Sequence, residues 1–353
     1  MKNFWKNKKV LITGHSGFKG TWLTLMLSKL GANIYGYSNY KSNFAKGYKI
    51  NLPYQINERI DDILNLKSLK NFLIKSKPHI IIHMAAQPIV SLSFYKPKET
   101  ILVNTLGTLN ILDFASEIKS LKSIIVVTTD KVYSSNSKKF IESDPLGGDD
   151  TYSASKAAAE LITNSYKSIY NFRNKKIALA TVRAGNVIGG GDWTSNRLIP
   201  DCIKSWSKKR FVKIRNLHST RPWQHVLEAV YGYMLLSSKL KKNTNLNGQA
   251  FNFGPKNKSN YSVNSVLLHA KKKWNNAKWI HKKNPKSFGE SSLLKLNSNK
   301  VKKALGWECV LNFSETIGLT INWYKNFYNK NYRSVEDLSI KDLEYYKKKA
   351  KIL

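Results

Sequence analysis

At 353 residues, 42% of them hydrophobic, the chain can bury a large core, and its evenly spread aromatics exclude a disordered protein. Lysine and arginine outnumber aspartate and glutamate 59 to 22, a formal net charge of +37 that raises the question of a polyanionic partner. The excess is almost all Lys, scattered over the whole length, and the densest runs (271–273 and 347–349) lack the interleaved aromatics and arginines of a nucleic-acid groove, so no nucleic-acid partner is expected.

A general positive field still favours a phosphorylated small substrate. Cys202 and Cys309 cannot make a disulfide framework and lie in no metal-ligand spacing, so no metal is expected. Met1 to Lys9 is polar, and the apolar run after it is only a few residues long. With neither a signal peptide nor a membrane span in the pattern, the expectation is a cytoplasmic enzyme without a membrane partner.

In chain order, Lys9–Thr13 predicts a buried strand, followed by a helix from about Phe18 to Leu30. Asn33–Tyr37 and His79–Met84 predict further strands, the latter leading to a helix through Glu99–Lys119. Ser123–Thr129 and Lys176–Arg183 are two more, separated by a helix from Thr151 to about Tyr170. Strands apolar on both faces that alternate with helices predict an α/β fold with a doubly wound parallel sheet. The rhythm changes at Gly189-Gly190-Gly191, where shorter elements richer in Asn, Ser and Pro begin. The expected division is therefore residues 1–187 and a smaller domain over 188–353, with segments around 223–255 returning to the first.

Thr13-Gly14-His15-Ser16-Gly17-Phe18-Lys19-Gly20 joins the first strand to the first helix. Glycines at 14, 17 and 20 give a tight turn, let the backbone approach a pyrophosphate and allow close helix–strand packing, with the phosphate on the helix N-terminus. The spacing is that of short-chain dehydrogenases, G-x-x-G-x-x-G. The acidic residue that would hold an adenine ribose is missing from the end of the second strand, which reads Gly36-Tyr37-Ser38-Asn39-Tyr40-Lys41. The residues alone therefore leave NAD and NADP open. Asp62 suits either the adenine amine or a helix N-cap.

Tyr152 and Lys156 stand four apart at the start of a helix, which puts phenol and ammonium on one face. A free tyrosine titrates near 10 (), so a fixed positive charge nearby is needed to favour phenolate, which then accepts the proton of a sugar hydroxyl. Just upstream, Thr129 ends a strand where open α/β sheets bind ligands. Asp130 and Lys131 add a carboxyl and an amine that a simple dehydrogenase does not need. His79 and His83 point along different rows of a strand and suggest no metal.

The segments TGHSGFKG (Thr13–Gly20), HMAAQ (His83–Gln87), TDKVY (129–133), DPLGGDDTYSASK (Asp144–Lys156), RAGNVIGGGDW (Arg183–Trp193) and STRPWQHVLE (Ser219–Glu228) together resemble the CDP-glucose 4,6-dehydratase family of extended short-chain dehydrogenases/reductases. The likeness runs from about Lys9 to Tyr324. It implies a Rossmann-type domain that binds NAD, a smaller C-terminal sugar-nucleotide domain, and conversion of CDP-glucose to CDP-4-keto-6-deoxyglucose with NAD recycled. Carried over by position, Thr129, Tyr152 and Lys156 oxidise C4, Asp130 protonates the departing C6 hydroxyl, and Lys131 is the expected C5 base.

The cofactor set implied is Gly14, Ser16, Gly17, Phe18, Lys19, Gly20, Asp62, Ile63, Ala85, Ala86, Gln87, Asn104, Thr128, Tyr152 and Lys156. Gln87, Asn186 and Arg221 would face the substrate, with Arg197, Arg215 and Asn252 toward its nucleotide. Leu217 stands where the family pattern has proline. For this fold a homodimer or higher homo-oligomer is expected. The alternatives are another sugar-nucleotide dehydratase, a C4 epimerase, which has no use for the Asp130/Lys131 pair, and a non-catalytic dinucleotide sensor.

Overall fold

The structure is a computed structural model that describes residues 1–40, 56–134, 139–255, 261–282 and 295–352; Lys41, noted above at the end of the second strand, lies outside them. The strands of the first half are β1 (Lys9–Thr13), β2 (Asn33–Ser38), β3 (Asn57–Ile60), β4 (Ile80–His83), β5 (Ser123–Val127) and β6 (Ala178–Ala184). Short strands β7 (Val187–Ile188), β8 (Val212–Ile214), β9 (Thr220–Arg221) and β10 (Gln224–His225) follow, then β11 (Gln249–Phe253), β12 (Tyr261–Ser262) and β13 (Trp279–His281).

Seven of these form one parallel sheet in the order β11-β6-β5-β4-β1-β2-β3. The chain runs outward from β1 in both directions, so the order reverses between β1 and β4. Ligands of such sheets bind outside the carboxyl ends at that point. β7 pairs with β10, β9 with β12 and β8 with β13 in two-stranded sheets beyond it.

Strict alternation explains the two-sided burial. Val10, Ile12, Ile80, Ile82, Ile125 and Val127 point to one face, with the helices Phe18–Lys29 and Val226–Leu240. Leu11, Ile81, Ile124 and Val126 point to the other, against Leu69, Leu73, Ile111, Leu112, Tyr166 and Tyr170. A strand covered on both faces needs an apolar residue at every position, which is why these runs carry no polar alternation. The Val226–Leu240 helix packs on the first helix, and β11 extends the sheet beside β6. No helix among the described residues is long and apolar enough to cross a membrane.

One element differs from the periodicity. The helix expected through Glu99–Lys119 is split into Pro97–Ile101, a wider π stretch Leu102–Leu106, and Gly107–Ala115. Within that stretch Asn104 is drawn to the backbone of Gln87 and to the Ser155 hydroxyl, and the Thr105 hydroxyl donates to Ser155 O. These side-chain demands come from a loop and a helix distant in sequence, and the extra residue per turn accommodates them.

Candidate active site

Two adjoining cavities open at the carboxyl ends of the central strands. The second, of 200 Å³, is lined by Gly14, Gly17, Phe18, Lys19 and Gly20 of the glycine loop, by Asp62 and Ile63, by Ala85 and Ala86, and by Thr128, Tyr152 and Lys156. Gly14 has φ +72, and a β-carbon there would meet Ala85 N at 2.8 Å; one on Gly20 would sit 2.1 Å from Gly14 O. Only glycine permits this approach of loop to strand end. The buried Ser16 Oγ has no hydrogen-bond partner, although Ser16 N donates to Ser38 Oγ. No side chain caps the Phe18–Lys29 helix. A bare glycine turn, an orphaned hydroxyl and an uncapped helix start make a donor set that fits a dinucleotide diphosphate.

Asp62 lines this cavity, and its carboxylate accepts from Leu64 N at 2.9 Å. The helix N-cap alternative is settled against it, because Asn65 caps the Leu66–Ser76 helix. Where the carboxylate is missing at the end of β2, Ser38 meets the buried His15, whose other nitrogen lies 2.9 Å from Glu58 of β3. His83 sits between the Thr13 and Thr108 hydroxyls, and burial, reinforced by Lys156, pushes it down to about 3, so it stays neutral.

The first cavity, of 390 Å³, is lined by Thr129, Asp130, Lys131 and Tyr152, and by Asn186, Arg197, Arg215 and Arg221. Lys19, Thr128, Tyr152 and Arg197 border both cavities. Asp150 caps the Thr151–Phe172 helix through Ser153 N, which places Tyr152 in its first turn beside the end of β5. Thr129 hydrogen-bonds the Tyr152 phenol, and its own hydroxyl donates to Asp130 Oδ1 at 3.1 Å. Asp130 is buried, and its Oδ2 has no partner. Burial raises its proton affinity, opposed by Lys131, by the Thr129 hydrogen bond and by Lys19 and Arg221. Burial in the cavity lining shifts this carboxyl toward the form that can donate a proton.

The Lys156 ammonium donates to Val127 O at 2.7 Å, and Thr129 is the hydrogen-bond partner of the Tyr152 phenol. Burial pushes Tyr152 up to about 12, so phenolate formation needs positive charge beyond what the side chains here supply. Neither Asn252 nor Gln87 lines the first cavity. The Asn252 side chain accepts from the Tyr133 hydroxyl and donates to Phe140 O, and Gln87 is spent on Ile89 and Thr100. Asn104, expected against the cofactor, is fully buried and holds the Gln87 backbone.

Sequence reasoning missed Asp192, which pairs with Arg197 at 2.9 Å and lines the first cavity. It also missed Glu160, whose signal was its place one turn beyond Lys156 on the same face. Among the described residues no cluster of His, Cys, Asp and Glu could hold a metal ion.

Burial, with Lys19 adding to it, pushes Lys156 down to about 8; burial and then Arg197 bring Lys19 to the same value. Between about 8 and the ordinary 10.5 the unfolded chain therefore binds protons that the folded chain does not, so these two groups make stability rise with pH across that window. Buried tyrosines pushed upward oppose this near pH 10, so the expected result is read as a difference: between about pH 8 and 10 the thermal midpoint of the ligand-free Lys156→Met protein rises less, or falls more, than that of the parent. A Lys156→Met protein with the same slope as the parent contradicts the assignment.

A glycine-loop Rossmann sheet with Tyr152 and Lys156 at its carboxyl end defines the class of extended short-chain dehydrogenases/reductases. The chain belongs to the GDP-mannose 4,6-dehydratase family, matched over residues 11–320. It is 37% identical over 336 residues to the CDP-glucose 4,6-dehydratase of Salmonella typhimurium, covering 92% of each chain. It is 28% identical to the human dTDP-D-glucose 4,6-dehydratase, covering 91% of each. Among solved structures, the epimerase Mth375 of Methanothermobacter thermautotrophicus superposes with a TM-score of 0.82 at 25% identity, covering 92% of this chain and 95% of that one. The dTDP-glucose 4,6-dehydratase of Streptomyces venezuelae, solved with NAD bound, gives 0.75 at 21%, covering 90% and 97%.

Proposed function

We propose that the protein removes water from CDP-glucose to give CDP-4-keto-6-deoxyglucose. The observation that carries this reading is the convergence of Thr129, Asp130, Lys131 and Tyr152 with Arg215 and Arg221 in the lining of the 390 Å³ cavity. The 37% identity to a CDP-glucose 4,6-dehydratase supports the choice of nucleotide. NAD held by the glycine loop, with Asp62 and Lys156, supplies a two-electron acceptor that returns the same electrons within one turnover.

Tyr152 takes the C4 hydroxyl proton as C4 is oxidised. The new ketone acidifies the C5 proton, which Lys131 removes. Asp130 gives its proton to the C6 hydroxyl, which leaves as water, and Lys131 returns a proton to C5 as C6 is reduced. Thr129 touches both Tyr152 and Asp130, so the proton gained by the phenol restores the one that the carboxyl gives up. Arg221 and Arg215 hold the diphosphate side, where guanidinium groups match phosphate geometry. An epimerase needs chemistry at C4 alone, and Asp130 and Lys131 would then be idle in the cavity.

Purified protein incubated with CDP-glucose and NAD is expected to form a product with the alkaline ultraviolet absorbance of a 4-keto sugar. Absorbance with dTDP- or GDP-glucose and none with CDP-glucose would overturn the substrate and keep the chemistry.

A further inference from the structure

Beneath the cavity wall lies a buried ion pair that the reaction does not use. Glu160, fully buried on the Thr151–Phe172 helix, receives Arg183 of β6 through Nε at 2.9 Å and through a second nitrogen at 2.6 Å. A charge pair in a dry interior adds little stability over apolar residues of the same size, because desolvation of both ions offsets their attraction. Its presence asks for a geometric reason.

The partners of the pair supply one. On one side, Glu160 accepts the hydroxyl of Thr128, the residue just before Thr129. On the other, Arg183 donates to the Tyr133 hydroxyl at 2.7 Å and stacks over its ring at 4.7 Å; Tyr133 follows Lys131 by two residues. Tyr133 is fixed again by its own donation to Asn252 at 2.7 Å. The segment Thr129-Asp130-Lys131 is thus tied immediately before and immediately after. Both ties end on the helix that carries Tyr152 and Lys156 two turns and one turn ahead of Glu160.

We infer that the Glu160–Arg183 pair positions Thr129, Asp130 and Lys131 against Tyr152, and that its purpose is catalytic registry between β5 and the helix. This deepens the dehydratase reading and rests on it for the role of those residues. Glu160 and Arg183 are positioning residues, since neither lines either of these two cavities.

Glu160→Gln leaves a buried guanidinium unbalanced and risks misfolding, so Thr128→Val is the sharper test. Valine keeps the shape, Val182 O keeps the backbone N–H of residue 128, and the ion pair stays intact. Turnover in Thr128→Val is expected to fall about tenfold with KM within about twofold, since small displacements of reacting groups act on the transition state. Thr128→Ser, which keeps the hydroxyl, is expected to recover most of that loss. In the ligand-free protein, amide hydrogen exchange over 129–133 should quicken about tenfold in Thr128→Val while the Thr151–Phe172 helix keeps its parental rate.

Parental turnover together with parental exchange in Thr128→Val overturns the inference. The exchange result needs no substrate, so it stands apart from the choice of nucleotide sugar. If the assay fails with CDP-glucose and with the other nucleotide sugars while the exchange result holds, the dehydratase reading falls and the tie between β5 and the helix does not.

Discussion

Replacing Tyr152 by Phe lowers turnover of the nucleotide sugar about 1,000-fold with little change in KM. The ring still fills its place beside Thr129, so binding survives, but the proton of the C4 hydroxyl has no acceptor. Positioned acid–base groups contribute about 10²–10⁴ in rate, and here one group serves the first step of the cycle. The loss should also reach C5 exchange. A sugar that is never oxidised at C4 has no acidified C5 proton, so the hydrogen at C5 does not exchange with deuterated solvent. A Tyr152→Phe protein with parental exchange and parental turnover removes the phenol from the mechanism.

Asp130→Asn should separate the two halves of the reaction. The carboxamide keeps the size of the side chain and its contact with Thr129, yet it cannot deliver a proton to the C6 hydroxyl. Product formation is expected to fall about 100- to 10,000-fold (), while C5 exchange continues because oxidation and C5 deprotonation precede water loss. Lys131→Ala gives a different pattern, with C5 exchange and product formation lost together because elimination needs the C5 proton removed first. Measured side by side by mass spectrometry in deuterated water, the two variants assign the acid and the base independently. If Asp130→Asn loses C5 exchange as completely as product, the carboxyl acts before elimination and its role is different.

The burial of Asp130 explains why the structure suits this task. Its environment favours the protonated form, and four neighbouring groups hold that tendency in check. A carboxyl that kept its proton too firmly could not protect a leaving hydroxyl from departing as hydroxide. One that lost it too readily would face the sugar as an anion. Lys131, Thr129, Lys19 and Arg221 come from three separate stretches of chain, and only folding brings them to one carboxyl.

Much of this molecule is written in local pattern. Unbroken apolar runs such as Ile80-Ile81-Ile82 and Ile124-Ile125-Val126-Val127 specify strands buried on both faces, and such strands demand helices on either side. The glycine spacing after β1 specifies the phosphate turn because no side chain fits between Gly14 and Ala85 N or between Gly20 and Gly14 O. The spacing of Tyr152 and Lys156 specifies a shared helical face. The patterns are local and the sequence by itself determines them, although the approach of Gly14 to Ala85 that they permit is made only in the fold.

Tertiary structure decided what each polar side chain is used for. Asn252 and Gln87 have the chemistry of substrate contacts, but neighbours more than ten residues away consume their hydrogen bonds, Tyr133 and Phe140 in one case and Thr100 in the other. Lys156 sits on the expected face and still turns to Val127 O. The single helix expected after β4 opens into a π stretch because Asn104 and Thr105 answer to Gln87 and Ser155. A buried donor or acceptor takes whatever partner the fold brings within reach, since leaving it unpaired costs about 1–3 kcal/mol. Pattern along the chain sets where strands, helices and the glycine turn form; which polar groups remain to meet a substrate is settled only when distant segments compete for the same hydrogen bonds.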